Sequence, residues 1–106
     1  MCWTDSRDYS DDPNTAMLHG DDLQLPLVLR AKREGDYFYP LGMGGKKKKL
    51  KRFLIDIKVP IHEKDKISIL ECDKRILWIV GKRIDERFKV RNGTKRVLRV
   101  VYRSTP

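Results

Sequence analysis

The stretch KKKKLKRFLIDIKVP occupies residues 46–60 and contains the one sustained helical pattern of the sequence. Its apolar residues recur at the spacing i, i+3, i+4 and i+7, which places on one helix face Leu50, Phe53, Leu54 and Ile57. Pro60 ends the pattern because the residue before a proline disfavours the helical conformation. We therefore predict an amphipathic helix from Lys46 to about Lys58, whose first turn of four lysines would oppose the helix dipole.

Short apolar runs on both sides of this helix predict strands, at residues 23–29, 37–39, 67–72, 76–80 and 97–102. Pro26 indicates an edge strand, because proline cannot donate a hydrogen bond to a neighbouring strand. Asp73-Lys74 predicts a hairpin turn, and residues 84–88 predict a single helical turn. The order of elements predicts an α+β fold, with a mainly antiparallel sheet or β-sandwich layers and one main helix laid on a sheet.

The charge of the chain is unevenly distributed. The 106 residues carry 24 Lys+Arg and 15 Asp+Glu, a formal net charge of +9. Residues 1–24 contain six Asp and one Arg, a net −5, so residues 25–106 hold 23 basic and nine acidic side chains, a net +14. A positive field of this density favours a polyanionic partner, above all nucleic acid, although solubility alone is the alternative.

The acidic excess divides the chain into two parts. We expect residues 1–17 to be an acidic arm or linker, with disorder as one alternative, and residues 18–106 to form a single domain. The sequence contains no apolar run long enough for a membrane helix, and its first residues do not resemble a secretory signal. With only two cysteines and no disulfide framework, a cytoplasmic location is the expectation.

The sequence lacks the residue patterns of an enzyme or a metal site. His19 and His62 are far apart and neither lies at ligand spacing from a cysteine, so we assign no catalytic and no metal-binding residue. The glycines of residues 42–45 lack the spacing of a nucleotide-binding loop, yet glycines that lead into a helix would favour a phosphate. Cys72 and Trp78 are expected to be structural residues.

The basic face of the predicted helix is the strongest functional candidate. Cations on one side of a rigid element can follow a row of phosphates, and the absence of a base-reading pattern favours structured RNA recognised by its shape. Tyr37, Phe38 and Tyr39 either stack on RNA or pack beneath the glycine loop. The predicted RNA-binding residues are Arg30, Lys32, Arg33, Lys46, Lys47, Lys48, Lys49, Lys51, Arg52, Lys58 and Arg83.

An ordered set of motifs resembles the C-terminal domain of bacterial tRNA(Ile)-lysidine synthetases. The motifs are PL-x-LR at 26–30, R-x-GD at 33–36, LG-x-GG at 41–45, KKLK-x-F-x-ID-x-K-x-P at 48–60 and W-x-x-G-x-R-I at 78–84. Together they cover roughly residues 18–102. The resemblance implies a fold similar to a domain of the phenylalanyl-tRNA synthetase β subunit.

The resemblance also implies a function. Members of this family use ATP to ligate lysine to the wobble cytidine of a minor isoleucine tRNA, which changes codon reading from AUG to AUA. The S-G-G-x-D-S phosphate loop of their catalytic domain is absent here, so this chain alone is expected to be inactive, with ATP and magnesium bound elsewhere in the parent enzyme. The implied partners are the acceptor stem of tRNA(Ile) and the N-terminal catalytic domain. The alternative is an interdomain or homodimerisation module without RNA contact.

Overall fold

Antiparallel β-sheets are the main regular structure in a computed structural model, which describes residues 2–4, 12–21, 23–24 and 26–103. A three-stranded sheet has the order β1-β9-β2, with β1 at Cys2–Thr4, β2 at Thr15–His19 and β9 at Val97–Val101. A four-stranded sheet has the order β3-β6-β7-β8, at Val28–Ala31, Ser68–Cys72, Arg75–Ile79 and Arg83–Ile84. A two-stranded ribbon pairs β4, Tyr37–Phe38, with β5, Lys48–Lys49. The helical elements are α1, Leu50–Asp56, α2, Ile61–Lys64, and a 3₁₀ turn, Glu86–Phe88.

The four-stranded sheet lies between the two core clusters of the fold. On one side Leu70 and Trp78 pack with Leu18 and Leu98 of the three-stranded sheet. The opposite side packs against α1 and the ribbon through a second cluster, which contains Phe38, Leu50, Phe53, Leu54, Ile69, Ile76 and Ile79. The predicted α+β class, the antiparallel pairing and the helix laid on a sheet are therefore confirmed.

Several local predictions are confirmed with shifted boundaries. The strand predicted around Pro26 is β3, which lies at a sheet edge as expected but spans Val28–Ala31 and not residues 23–29. Asp73 and Lys74 form the predicted hairpin turn, and both have positive φ, as the central residues of a type I′ turn do. Cys72 and Trp78 are buried, and the Cys72 thiol donates to the Gln24 carbonyl at 3.2 Å.

The helix prediction is wrong at its beginning. Lys46–Lys49 lie outside α1, which begins at Leu50, and Lys48 and Lys49 pair with Phe38 and Tyr37 as a strand. Leu50 is the first helical residue, and its N–H, which has no acceptor within the helix, donates to the Asp36 carbonyl at 2.8 Å. The four lysines therefore do not form a helical turn, and the expected conflict with the dipole is confined to Lys51 and Arg52.

The helix ends before the proline, through a left-handed residue. Lys58 has φ of 62°, its N–H donates to the Ile55 carbonyl, and the Val59 N–H donates to the Leu54 carbonyl, both at 3.0 Å. This pair of bonds is the Schellman arrangement, in which glycine usually occupies the left-handed position. Leu54 and Val59 are both buried in the same core cluster, so the turn also closes an apolar contact.

Two further differences concern the polar segments. The sequence pattern predicted no helix after Pro60, but α2 begins at Ile61 and buries no residue. The boundary expected at residue 17 falls inside β2, and β1 pairs with β9 within the segment assigned to an arm. The arm prediction for residues 5–11 lies outside the described residues, and the division into arm and domain stays a prediction.

Candidate nucleic-acid interface

Lys48 differs from its neighbours because its charge is used within the protein. Its ammonium forms an ion pair with Asp56 at the end of α1, and its side chain is only 19% exposed. Arg52 lies 3.5 Å from the same carboxylate but remains 71% exposed. The Lys48 hydrogen bond, followed by the charges of Lys48 and Arg52, holds the pKa of Asp56 below its usual value. Lys48 therefore ties the ribbon to α1 and is a poor candidate for RNA contact.

The remaining cations of this segment are exposed to solvent. Within the described residues, none of the side chains of Lys46, Lys49 and Lys51 pairs with a carboxylate. Lys49 lies opposite Tyr37 across the ribbon, and Lys51 and Arg52 follow on the first turn of α1. We define the lysine surface as the exposed cations that this short segment brings together, namely Lys46, Lys47, Lys49, Lys51 and Arg52.

The three aromatic residues before the glycine loop have different environments. Phe38 is fully buried and stacks edge-to-face on Phe53, with ring centroids 5.0 Å apart. Tyr37 is 46% exposed, and Lys47 Nζ lies 4.1 Å from its ring centroid. Phe38 therefore packs in the core, whereas Tyr37 presents an exposed ring beside the lysine surface. Stacking of a ring on RNA stays a prediction.

Arg30 is held in a network of acidic side chains. Its guanidinium bonds Asp36 at 2.9 and 3.0 Å, and its Nε lies 3.1 Å from a Glu71 carboxylate oxygen. The hydrogen bond to Asp36 is the largest of the causes that raise the pKa of Arg30. Burial raises the pKa of Asp36, but hydrogen bonds from Arg30 and from the Arg33 backbone N–H outweigh it, so the pKa is lowered. Arg30 is therefore a structural cation, which joins β3 to the turn at Asp36 and to the neighbouring strand β6 at Glu71.

The other predicted contacts are spread around α1. Arg33 is exposed in the turn whose Asp36 carbonyl caps the first N–H of α1, so this turn does flank the lysine surface. Lys58 is exposed at the other end of the helix. The half-buried Arg83 has its guanidinium carbon 5.3 Å from the Phe53 ring centroid, against the core side of α1. Lys32 is half-buried.

The glycine loop has different surroundings from those that its sequence suggested. The loop at residues 42–45 leads into the ribbon and not into a helix, so it lacks the N-terminal N–H groups that bind phosphate in such loops. Across the described ranges, no three His, Cys, Asp or Glu side chains are grouped closely enough to hold a metal ion. In the same ranges, no helix is long and apolar enough to cross a membrane.

A second group of cations was missed by the sequence reasoning. Lys74 and Arg75 of the β6–β7 hairpin and Arg87 of the 3₁₀ turn line a shallow pocket that also contains Arg30 and Tyr37. The hairpin turn was predicted, but its cations Lys74 and Arg75 are separated in sequence from both Tyr37 and Arg87. Their meeting depends on sheet pairing, which the spacing along the chain did not reveal.

The fold and its charged surface define a small α+β domain with a cationic face. Residues 27–102 match the family described as the TilS substrate C-terminal domain. The chain belongs to this family, as its sequence motifs indicated.

Similar proteins agree with this assignment. The chain is 44% identical over 82 residues to the tRNA(Ile)-lysidine synthase of Caldanaerobacter subterraneus, covering 77% of this chain and 17% of that protein. It is 44% identical over 96 residues to that of Dehalococcoides mccartyi, covering 91% of this chain and 20% of the relative. The chain thus spans 17–20% of the length of these curated relatives. A solved structure titled "Crystal structure of TILS C-terminal domain" superposes with a TM-score of 0.73 and 27% identity, covering 96% of this chain and 82% of that one.

Proposed function

We propose that this chain is the tRNA-binding end of a tRNA(Ile)-lysidine synthase and that it contacts the acceptor stem of tRNA(Ile). The observation that carries the proposal is the lysine surface, where Lys47 lies over the exposed ring of Tyr37 and Lys49 lies opposite Tyr37 across the ribbon. Backbone phosphates are the expected ligands because the surface offers charge at several points but no pattern of paired hydrogen-bonding groups for base edges.

The reaction itself belongs, in this proposal, to the parent enzyme. There an N-terminal catalytic domain uses ATP and magnesium to ligate lysine to the wobble cytidine, in the cytoplasm. This domain holds the tRNA body and contributes no reacting group. A fold shared with the phenylalanyl-tRNA synthetase β subunit belongs to the same proposal.

Binding of tRNA(Ile) at a series of salt concentrations tests the role of the lysine surface. The triple variant Lys46→Gln, Lys49→Gln, Lys51→Gln removes three exposed charges and keeps the Lys48–Asp56 ion pair. We expect weaker binding and a smaller slope of log affinity against log salt, by roughly 0.7–0.9 for each phosphate that the variant no longer neutralises.

The matched control removes the same charge from other exposed positions. Lys66, Lys82 and Lys95 are exposed and lie outside the lysine surface, so Lys66→Gln, Lys82→Gln, Lys95→Gln has the same net charge. Equal loss of affinity in both triple variants would show that net charge alone, and not this surface, determines binding.

An interdomain or self-association role is the second candidate function, and the edge strand β3 favours it. Val28 and Leu29 are 44% and 54% exposed on a strand whose outer edge pairs with no strand of the described ranges. Such an edge can accept another strand. Sedimentation at low and high salt separates the candidates, since association that persists in high salt would favour this apolar edge over the charged surface.

A further inference from the structure

The pocket beside Tyr37 concentrates cations from separate parts of the chain. It lies where the ends of β3 and β4 meet the β6–β7 hairpin turn and the 3₁₀ turn. Its volume is about 90 Å³. The charged and aromatic side chains that line it are Arg30, Asp36, Tyr37, Lys74, Arg75 and Arg87.

Two of these cations have no carboxylate partner. Arg30 pairs with both Asp36 and Glu71, so these three side chains together carry a net charge of −1 and supply no positive charge for a ligand. Lys74 Nζ and the Arg75 guanidinium, by contrast, pair with no acidic side chain in the part of the chain that the structure describes. Two neighbouring positive charges at a pocket mouth attract an anion, and a guanidinium suits an oxyanion that accepts two hydrogen bonds.

Contacts with neighbouring side chains orient the guanidinium groups of Arg75 and Arg87. Arg87 bonds the buried carboxylate of Asp85 through Nε and Nη2, and its guanidinium carbon lies 4.3 Å from the Tyr39 ring centroid. These bonds leave Nη1 free of any protein acceptor among the described residues. Arg75 lies over the Phe88 ring, with its guanidinium carbon 5.1 Å from the centroid. Because both guanidiniums are already oriented, less side-chain entropy is lost when an anion binds.

The size of the pocket selects a small anionic group. Small-molecule sites usually begin at roughly 300 Å³, several times the volume available here. The pocket is therefore large enough for a tetrahedral oxyanion and smaller than the usual site of a drug-sized ligand. The exposed ring of Tyr37 links the pocket to the lysine surface, because Lys47 lies over that ring.

We propose that this pocket binds one phosphate group of the RNA, held by Lys74, Arg75 and the free edge of Arg87. The choice of RNA as the source of the phosphate rests on the proposed function, whereas the anion site itself rests on the geometry. The pocket would fix the RNA at one point, while the lysine surface contacts neighbouring phosphates.

Titration of the 106-residue chain with inorganic phosphate at constant ionic strength tests the site without RNA. The side-chain Nε–H signals of arginine, observed by NMR, report the environment of each guanidinium. We expect saturable shifts at Arg75 and Arg87, with Arg83, which does not line the pocket, as the internal reference. Shifts at Arg75 and Arg87 no larger than those at Arg83 would overturn the proposal.

RNA binding tests the source of the phosphate. The variant Lys74→Gln, Arg75→Gln is compared with Lys66→Gln, Lys82→Gln, which removes the same charge at exposed positions outside the pocket. We expect the pocket variant to bind tRNA(Ile) on the order of tenfold more weakly than the control. Lys74→Gln alone, an exposed turn substitution, serves if the double variant does not fold, and a several-fold loss of affinity is expected.

The remaining outcomes are distinguishable. The affinity comparison is repeated with RNA hairpins that end in a 5′ phosphate or a 5′ hydroxyl. A loss of affinity in the pocket variant with the 5′-phosphate hairpin alone assigns the contact to the terminal phosphate, and a loss with both hairpins assigns it to a backbone phosphate. Either result supports the proposal. Phosphate-induced shifts with RNA binding equal to the control would show a site for a free anion and overturn the assignment to RNA. If the wild-type chain binds no tRNA, the proposed function fails, while the phosphate titration still decides the anion site.

Discussion

The carboxylate of Asp85 accepts two hydrogen bonds from the Arg87 guanidinium, each 3.0 Å long, and is itself fully buried. The same carboxylate accepts the backbone N–H groups of Arg87 and of Tyr39, at 2.8 and 3.0 Å. One acidic side chain thus joins the 3₁₀ turn to the segment that carries the exposed aromatic ring, and it orients a cation at the proposed phosphate pocket.

Asp85→Asn is expected to destabilise the fold strongly. The asparagine amide has one accepting oxygen where the carboxylate has two, and it carries no charge. Some of the donors now bonded to Asp85 and the Arg87 guanidinium therefore lose their partner, which lowers the free energy of unfolding by about 3 kcal/mol. Urea denaturation followed by circular dichroism measures this, with the exposed Asp65→Asn as control. A decrease in stability equal to that of the control would show that the buried carboxylate is not needed for stability.

Lys58→Gly is expected to stabilise the protein by about 1 kcal/mol, because glycine adopts the left-handed conformation without the steric cost that a side chain incurs. Thermal unfolding measures the gain. Lys58→Ala removes the same charge but retains Cβ, so it should bring no such gain. If the alanine variant is stabilised equally, loss of charge repulsion and not backbone strain is the cause.

The interior of the helix could be predicted from sequence, but its beginning could not. The spacing of Leu50, Phe53 and Leu54 reports a buried face directly. Lysines have good intrinsic helix propensity, and the unfavourable interaction with the helix dipole is too small to exclude Lys46–Lys49 from a helix. Their strand conformation depends on pairing with Tyr37–Phe38, a contact between distant segments. The second helix buries no residue and so has no apolar pattern to detect.

The candidate site shows the same limit. Sequence reasoning located the cationic segment, since charge density is a property of composition. It treated Arg30 and Lys48 like their neighbours, although both are held in ion pairs with acidic residues elsewhere in the fold. It also missed Arg75 and Arg87, whose approach to Tyr37 is produced by sheet packing.

Lys48→Gln is expected to reduce the stability of the protein, and Lys49→Gln is expected to reduce its affinity for tRNA. Lys48 pairs with Asp56 and is mostly covered, whereas Lys49 is exposed and unpaired among the described residues. Removal of the Lys48 ion pair should lower the midpoint of thermal unfolding and leave tRNA affinity nearly unchanged. Lys49→Gln should weaken tRNA binding and leave the midpoint unchanged.

Both variants have the same net charge, so each is the control for the other. Equal effects of the two variants on tRNA affinity would contradict the division of the segment into structural and binding lysines.

Acid is expected to destabilise the protein through Asp36 and Asp21, whose pKa values lie below the ordinary value of 3.8. Burial alone would raise the pKa of Asp36, but Arg30 and the Arg33 N–H lower it; the N–H groups of Lys95 and then Arg96 lower that of Asp21. Between the folded and unfolded pKa values the unfolded chain binds more protons. This contribution to stability is therefore complete above about pH 5 and is lost as the pH falls through the unfolded and then the folded pKa values.

Asp36→Asn tests the origin of this acid sensitivity. The variant should be less stable than the wild type at pH 7, because Arg30 loses a charged partner. As the pH is lowered from 5, the stability of the variant should decrease less than that of the wild type. Urea midpoints measured across this range give the comparison, with Asp65→Asn expected to retain the wild-type decline. An Asp36→Asn curve parallel to that of the wild type would show that other carboxylates cause the decrease in acid.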